Sequence, residues 1–160
     1  LLLIVAPPKV IVADNGVVSE GRMTVAQSTA ISPSSHAPSA GHFSQGVEID
    51  PSAHRLLFIS GQLATDSEGQ VVGAGDIRAQ ARAVFANLAS VLSTAGGDLS
   101  DVVGMTVFLT ARADFDGFNE VRNEILRTEP YPSSTLVVVA GLVLPEHLVE
   151  VNAVAALTRR

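Results

Sequence analysis

The spacing of apolar residues changes period once, near Gly75, and separates strand-like stretches from helix-like ones. Before that point short apolar runs end at turn residues. Strands are expected to begin near Phe43, and the run Leu56 to Ile59 ends at Ser60-Gly61. A turn at Asp66 to Gly69 then permits a short returning strand, Gln70 to Val72. After Gly75, Ile77, Ala81, Val84, Phe85, Leu88, Val91 and Leu92 recur at the spacing that lines one side of a helix. Asp76 is placed to cap it, because a carboxylate there accepts orphan first-turn amides. The helix should run to about Thr94 and stop at Ala95-Gly96-Gly97. Asp101 to Leu109 reads as a buried strand with Gly104 as a weak point. Phe115, Phe118, Val121 and Ile125 mark a second helix, capped by Asp114 and ended by Pro130 and Pro132. Thr135 to Val139 and Leu148 to Leu157 supply two further strands.

The predicted order is β-β-β-α-β-α-β-β, an α/β (α+β) chain whose two helices cover one face of a six-stranded mixed sheet. The strands are apolar on both sides, yet no second helical layer remains for the opposite face. A barrel-like oligomer with sheets packed inward would cover it, and a closed single-chain barrel is the rival. Residues 1–28 look separate: an extension, natural or added, in which Val10 to Ala13 could form an extra strand. From Ser28 to Gly41 serine, proline and alanine dominate, so regular structure is not expected there. The domain is placed at 29–157, with 158–160 as a tail.

Composition then narrows the chemistry. A chain of 160 residues with 47% apolar content supports one core and not two. The absence of cysteine excludes disulfides, thiol nucleophiles and cysteine-ligated zinc. The single lysine is Lys9, so no Schiff-base lysine lies within the main domain. A net charge of -6 and scattered arginines give no basic patch, so no nucleic-acid partner is expected. The apolar opening Leu1 to Pro8 is too short to cross a bilayer and lacks a signal-peptide pattern. A cytoplasmic protein without membrane attachment is the expectation.

Several residues could carry a reaction. Ser60-Gly61-Gln62 closes an apolar strand, where glycine admits close approach of a ligand to the backbone and Ser60 offers a hydroxyl. The alternative is an ordinary strand-ending turn. Glu150 interrupts an apolar strand and shares a face with Leu148 and Asn152. A carboxylate in a partly buried sheet can act as a general acid or base, although an edge-strand glutamate facing water is the plainer reading. Asn119 could orient a substrate or simply lie exposed on its helix. His36, His42, His54 and His147 show no metal-ligand spacing. The serine-hydrolase GxSxG and nucleotide-binding GxGxxG patterns are both missing.

Taken together, APSAGHFSQGV (37–47), LLFISGQLATDSEGQVV (56–72), the 76–103 helix with its QxxxxxxNLxxxLxxAG pattern, DFxxFNEV (114–121) and LVEVxAVA (148–155) carry a resemblance. The chain resembles the RidA/YjgF/UK114 family of reactive-intermediate deaminases over about Ser28 to Leu157. That resemblance implies a chorismate-mutase-like fold and a homotrimer with ligand clefts between subunits. It also implies hydrolysis of small enamines and imines to ammonia and a carbonyl product without a cofactor or metal. In that scheme Glu150 holds or activates water, Ser60 and Gly61 bind substrate, and Asn119 supports them.

Two departures bear on specificity. The family's proline-x-arginine-serine stretch is here Pro132-Ser133-Ser134-Thr135, so Ser134 replaces the arginine that pairs with a substrate carboxylate. A hydroxyl matches a guanidinium neither in charge nor in donors. Rescue would require Arg55, Arg112, Arg127 or another residue to reach the cleft. Phe43 stands where the family has tyrosine, keeping an aromatic wall and losing its hydroxyl. The expected function is a RidA-like deaminase of altered specificity. The alternative is a noncatalytic small-ligand-binding or chaperone-like trimer on the same scaffold, and a ribonuclease activity gains no support from the charge distribution.

Overall fold

The computed structural model describes residues 28–36 and 41–159. Its elements are β1 (Ser28–Ile31), β2 (Gly46–Ile49), β3 (His54–Leu63), α1 (Ile77–Thr94), β4 (Val102–Leu109), α2 (Phe115–Ile125), β5 (Ser133–Val138) and β6 (Val149–Thr158). The order is the β-β-β-α-β-α-β-β that the periodicity predicts. One strand lies where none was expected, and one expected strand is reduced to a single bridge. Ser28–Ile31 is a strand despite its composition, because it pairs antiparallel with β2 from Ser28–Ile49 to Ile31–Gly46. Gln70–Val72 makes only one bridge, Thr65–Val71, since the chain turns at once through Gly73 and Gly75 in left-handed conformation (φ 68° and 75°). The candidate strand Val10 to Ala13 lies outside the described residues.

The principal sheet has the order β3-β6-β4-β5, with β4 and β5 parallel and the other pairs antiparallel. The β1–β2 hairpin adjoins β5 through a parallel bridge between Ser44 and Ser133, which completes the mixed six-strand architecture. Helix α1 begins where Asp76 accepts the amides of Arg78 and Ala79. It ends in paired reverse bonds, Gly97 N–H to Leu92 O and Gly96 N–H to Ser93 O, with Gly96 left-handed at φ 80°. Asp114 does not cap α2. It belongs to a 3₁₀ turn, Arg112–Asp114, and its helical backbone (φ -82°, ψ -8°) keeps the carboxylate from folding back over the first amides.

Ile77, Ala81, Val84, Phe85, Leu88 and Leu92 of α1 pack with Phe118 and Val121 of α2 against Val107, Leu109, Val149, Val151 and Ala155 of the sheet. Phe85 and Phe118 stack at 6.1 Å between centroids. Among the described residues nothing covers the other sheet face, where Phe58 is 75% exposed and Leu56 and Val137 are also exposed. Buried Gln80 links the layers: its amide donates to Glu146 O and its carbonyl accepts from Leu148 N–H, which fixes the approach to β6. No described helix is long and apolar enough to cross a membrane.

Candidate functional site

Glu150 is set by the pairing of β6. It faces Leu63 on β3 and Phe108 on β4, on the open side of the sheet. One step along, the β3–β6 register slips: Ile59 pairs with Ala153 and Gln62 with Val151, so Ser60 and Gly61 together oppose Asn152. That is a β-bulge, a device that re-aims residues beside ligand sites. The missing side chain at Gly61 is filled by the Glu150 carboxylate, for a Cβ there would collide with its Oε1. Asn152 accepts the Thr106 amide through its Oδ1 at 3.1 Å. Ser60, Thr106, Thr135, Asn152 and exposed Phe58 line an open concavity of about 540 Å³.

Phe43 and Asn119 meet elsewhere, around Arg122. The Arg122 guanidinium lies 5.3 Å from the Phe43 ring centre and donates to the Asn119 carboxamide one helical turn away. It is 3% exposed, and burial pushes its pKa down. Its Nε–H has no partner among the described residues. A Cβ on Gly41 would stand 2.7 Å from Arg122 Nη2 and 3.0 Å from Asn119 Oδ1, so glycine there allows the backbone to lie against the guanidinium. The segment is pinned by His42 N–H to Asn123 Oδ1 at 3.1 Å and by Ser44 N–H to Pro132 O at 2.9 Å. The second bond carries Phe43 to the start of β5.

Ser134 stands there with its Oγ buried and without a partner among the described residues. Its register partner is buried Met105, so it faces the helix side. Farther along that face, Leu136 and Val138 border a concavity of about 500 Å³ with Arg112 and Phe115. Of the three arginines named as substitutes, Arg112 alone borders this face. Arg55 is tied to Ala95 O and Arg127 to Glu124 O.

The six candidate residues therefore form two groups. Glu150, Ser60 and Gly61 lie at the bulge, while Phe43, Asn119 and Ser134 lie toward α2 and β5. Ser134 pairs with Met105 and Glu150 with Phe108, on opposite sheet faces. Two strand spacings and three residues of rise separate them by roughly 14 Å. Arg122 was not singled out by the sequence pattern. Its signal was an arginine on the helical face that carries Phe118, Val121 and Ile125, where an apolar residue belongs. Among the described residues no three His, Asp or Glu side chains are grouped to hold a metal ion.

Comparison with known proteins agrees with this architecture. Residues 34–157 match the family described as Endoribonuclease L-PSP. The chain is 40% identical over 124 residues to Protein DfrA of Myxococcus xanthus, covering 76% of this chain and 91% of that protein. It is 39% identical over 103 residues to the 3-aminoacrylate deaminase RutC of Acinetobacter baylyi, covering 64% and 80%. Among solved structures, the Rid-family protein YyfB from Yersinia pestis superposes with a TM-score of 0.75 at 32% identity, over 81% of this chain and 98% of that one. RidA from an Antarctic Psychrobacter gives 0.59 at 34%, over 81% and 99%. The chain belongs to the RidA/YjgF/UK114 family.

Proposed function

We propose that the protein is a cofactor-independent hydrolytic deaminase of small imines. The observation that carries this reading is the Glu150 carboxylate seated over the side-chain-free Gly61 at a bulge, on a sheet face that remains uncovered in one chain. The similarity to a 3-aminoacrylate deaminase supports the reaction class.

The chemistry follows from a positioned carboxylate and water. Glu150 takes a proton from water as the oxygen bonds to the iminium carbon, and the C=N π pair moves to nitrogen. Glu150 returns that proton to the carbinolamine nitrogen, the C–N bond breaks as C=O forms, and the departing ammonia takes up the hydroxyl proton as ammonium. An iminium ion and one water thus give a carbonyl compound and ammonium. A general base of this kind contributes about 10²–10⁴-fold to rate. Ser60 and the backbone at Gly61 bind the reacting end of the substrate. Ser134, Phe43 and Asn119 bind its other end.

Because the two residue groups lie on opposite faces of one sheet, a complete cleft needs a second copy. A homotrimer with clefts between subunits provides it and covers Phe58 and Leu56 at the same time. One observation favours the alternative, a binding-only trimer: Ser134 offers no charge where the family resemblance implies an arginine. A panel of freshly generated imines, with and without carboxylates, separates the two. Release of ammonia and carbonyl product above the buffer rate is expected. Saturable ligand binding with no turnover across the panel would establish the alternative.

A further inference from the structure

Strand β5 lends its two faces to two different surfaces. Ser133 and Thr135 border the concavity that also holds Ser60 and Asn152, and its lining there is polar. The alternate residues, Leu136 and Val138, pair with buried Val107 and Leu109 and so take the helix side. There they border the concavity of about 500 Å³ together with Phe115. Its walls are hydrocarbon in contact with water: Phe115 is 39% exposed and Val138 51%. Ser134 lies two residues before Leu136 on the same face, so this concavity continues the candidate site.

The backbone under these walls is held at both sides. β5 stays bonded to β4 past Val138, where Val139 N–H donates to Leu109 O at 2.8 Å. Phe115 N–H donates to Arg112 O and closes the 3₁₀ turn, which sets Phe115 as the first residue of α2. A preformed apolar concavity with a few polar groups is the usual form of a small-molecule site. The charges at this one offset each other: Arg112 and Asp116 both border it, both exposed to water and salt that screen them. Neither Arg122, buried against Phe43 and Asn119, nor Arg127, bonded to Glu124 O, borders it. The lining therefore rewards hydrocarbon removed from water far more than it rewards a carboxylate.

We propose that Phe115, Leu136 and Val138 hold an apolar substituent of the substrate, and that the imines hydrolysed are carboxylate-free and carry a hydrocarbon chain. This rests on the deaminase reading for the reacting end and on the apolar concavity for the chain. The imine of 2-hexanone represents the class: with one water it gives 2-hexanone and ammonia, its butyl chain lying along Leu136 and Val138.

Binding and turnover test it separately. Acetone, 2-hexanone and 2-oxohexanoate, which has carboxylate where 2-hexanone has methyl, are titrated into the parent and followed by NMR. 2-Hexanone should bind at least about 20-fold more tightly than acetone, since each buried methylene adds roughly fourfold. 2-Oxohexanoate should bind no more tightly than 2-hexanone. Phe115→Ser and Val138→Ser both change partly exposed residues, and one serves if the other does not fold. Each should cut 2-hexanone affinity at least about fivefold. In parallel, kcat/KM for the 2-hexanone imine should exceed that for the acetone imine by about 20-fold, and this ratio should fall at least about fivefold in either variant. 2-Oxohexanoate binding tenfold more tightly than 2-hexanone overturns the proposal, as does 2-hexanone affinity within twofold of the parent in both folded variants. Dissociation of the oligomer by both variants also overturns it, because the patch is then a subunit contact. A parent that binds 2-hexanone through these residues but turns over no imine overturns the deaminase reading alone. A parent that hydrolyses the acetone and 2-hexanone imines with equal kcat/KM overturns the apolar site alone.

Discussion

The Glu150 carboxylate occupies the space that a side chain on Gly61 would need. Gly61 is not left-handed, so its lack of a Cβ serves this close approach and not a turn. Gly61→Ala should therefore fold and displace the carboxylate. A misplacement of about 1 Å costs on the order of 100-fold in rate. Steady-state kinetics on the best imine substrate should give a fall in kcat of that size, with a melting temperature close to the parent's.

The uncovered face makes a separate claim. Phe58, 75% exposed in one chain, is covered by a neighbouring subunit in the proposed trimer. Phe58→Glu places a charge in that contact and should dissociate it, because an unpaired charge in an apolar interface is strongly disfavoured. Sedimentation equilibrium should report three times the 16.6 kDa chain mass for the parent and the single-chain mass for the variant. A parent that sediments as a monomer would contradict the intersubunit cleft.

Gln80 ties helix to strand just upstream of Glu150. Gln80→Leu leaves the Glu146 carbonyl and the Leu148 amide without partners in a buried site. An unsatisfied buried polar group costs about 1–3 kcal/mol, so the loss should be about 2–5 kcal/mol by urea denaturation. Gln80→Glu, which keeps an acceptor for Leu148 but loses the donor to Glu146, should also be destabilised.

Asp101 gives a pH dependence of stability. Burial, only partly offset by the bond it accepts from Asp98 N–H, pushes its carboxyl above the ordinary value. The folded state thus binds that proton more tightly than the unfolded chain does. The penalty is complete above the folded pKa and is relieved as pH falls through it. Asp101→Asn carries no such titration. Urea unfolding from pH 7 downward should show the parent gaining stability relative to Asp101→Asn across that window.

Much of the fold was legible because periodicity and end signals agreed. The α1 stripe, the Asp76 cap and the glycine stop placed a helix ending near Thr94, and the structure has it at Ile77–Thr94. What local pattern could not reveal was pairing at a distance. Ser28–Ile31 has a poor strand composition, yet β2 supplies its hydrogen bonds. Asp114 resembled a cap, and only its backbone angles exclude it. For the site, Glu150 stood out as a charge in an apolar strand, and Ser60-Gly61 as a small pair expected to end a strand that instead runs on to Leu63. The slipped register that joins them depends on two strands far apart in sequence. Arg122 is buried in the helix that carries Asn119, and only the packing of that helix shows its burial.

The central claim is that Glu150 activates water. Glu150→Gln keeps the shape of the side chain and removes its basicity. Ammonia and carbonyl release from the best imine of the panel should fall about 1,000-fold, within the range for loss of a general base, while the oligomer mass stays that of the parent. Rates within threefold of the parent in a correctly assembled variant would contradict it.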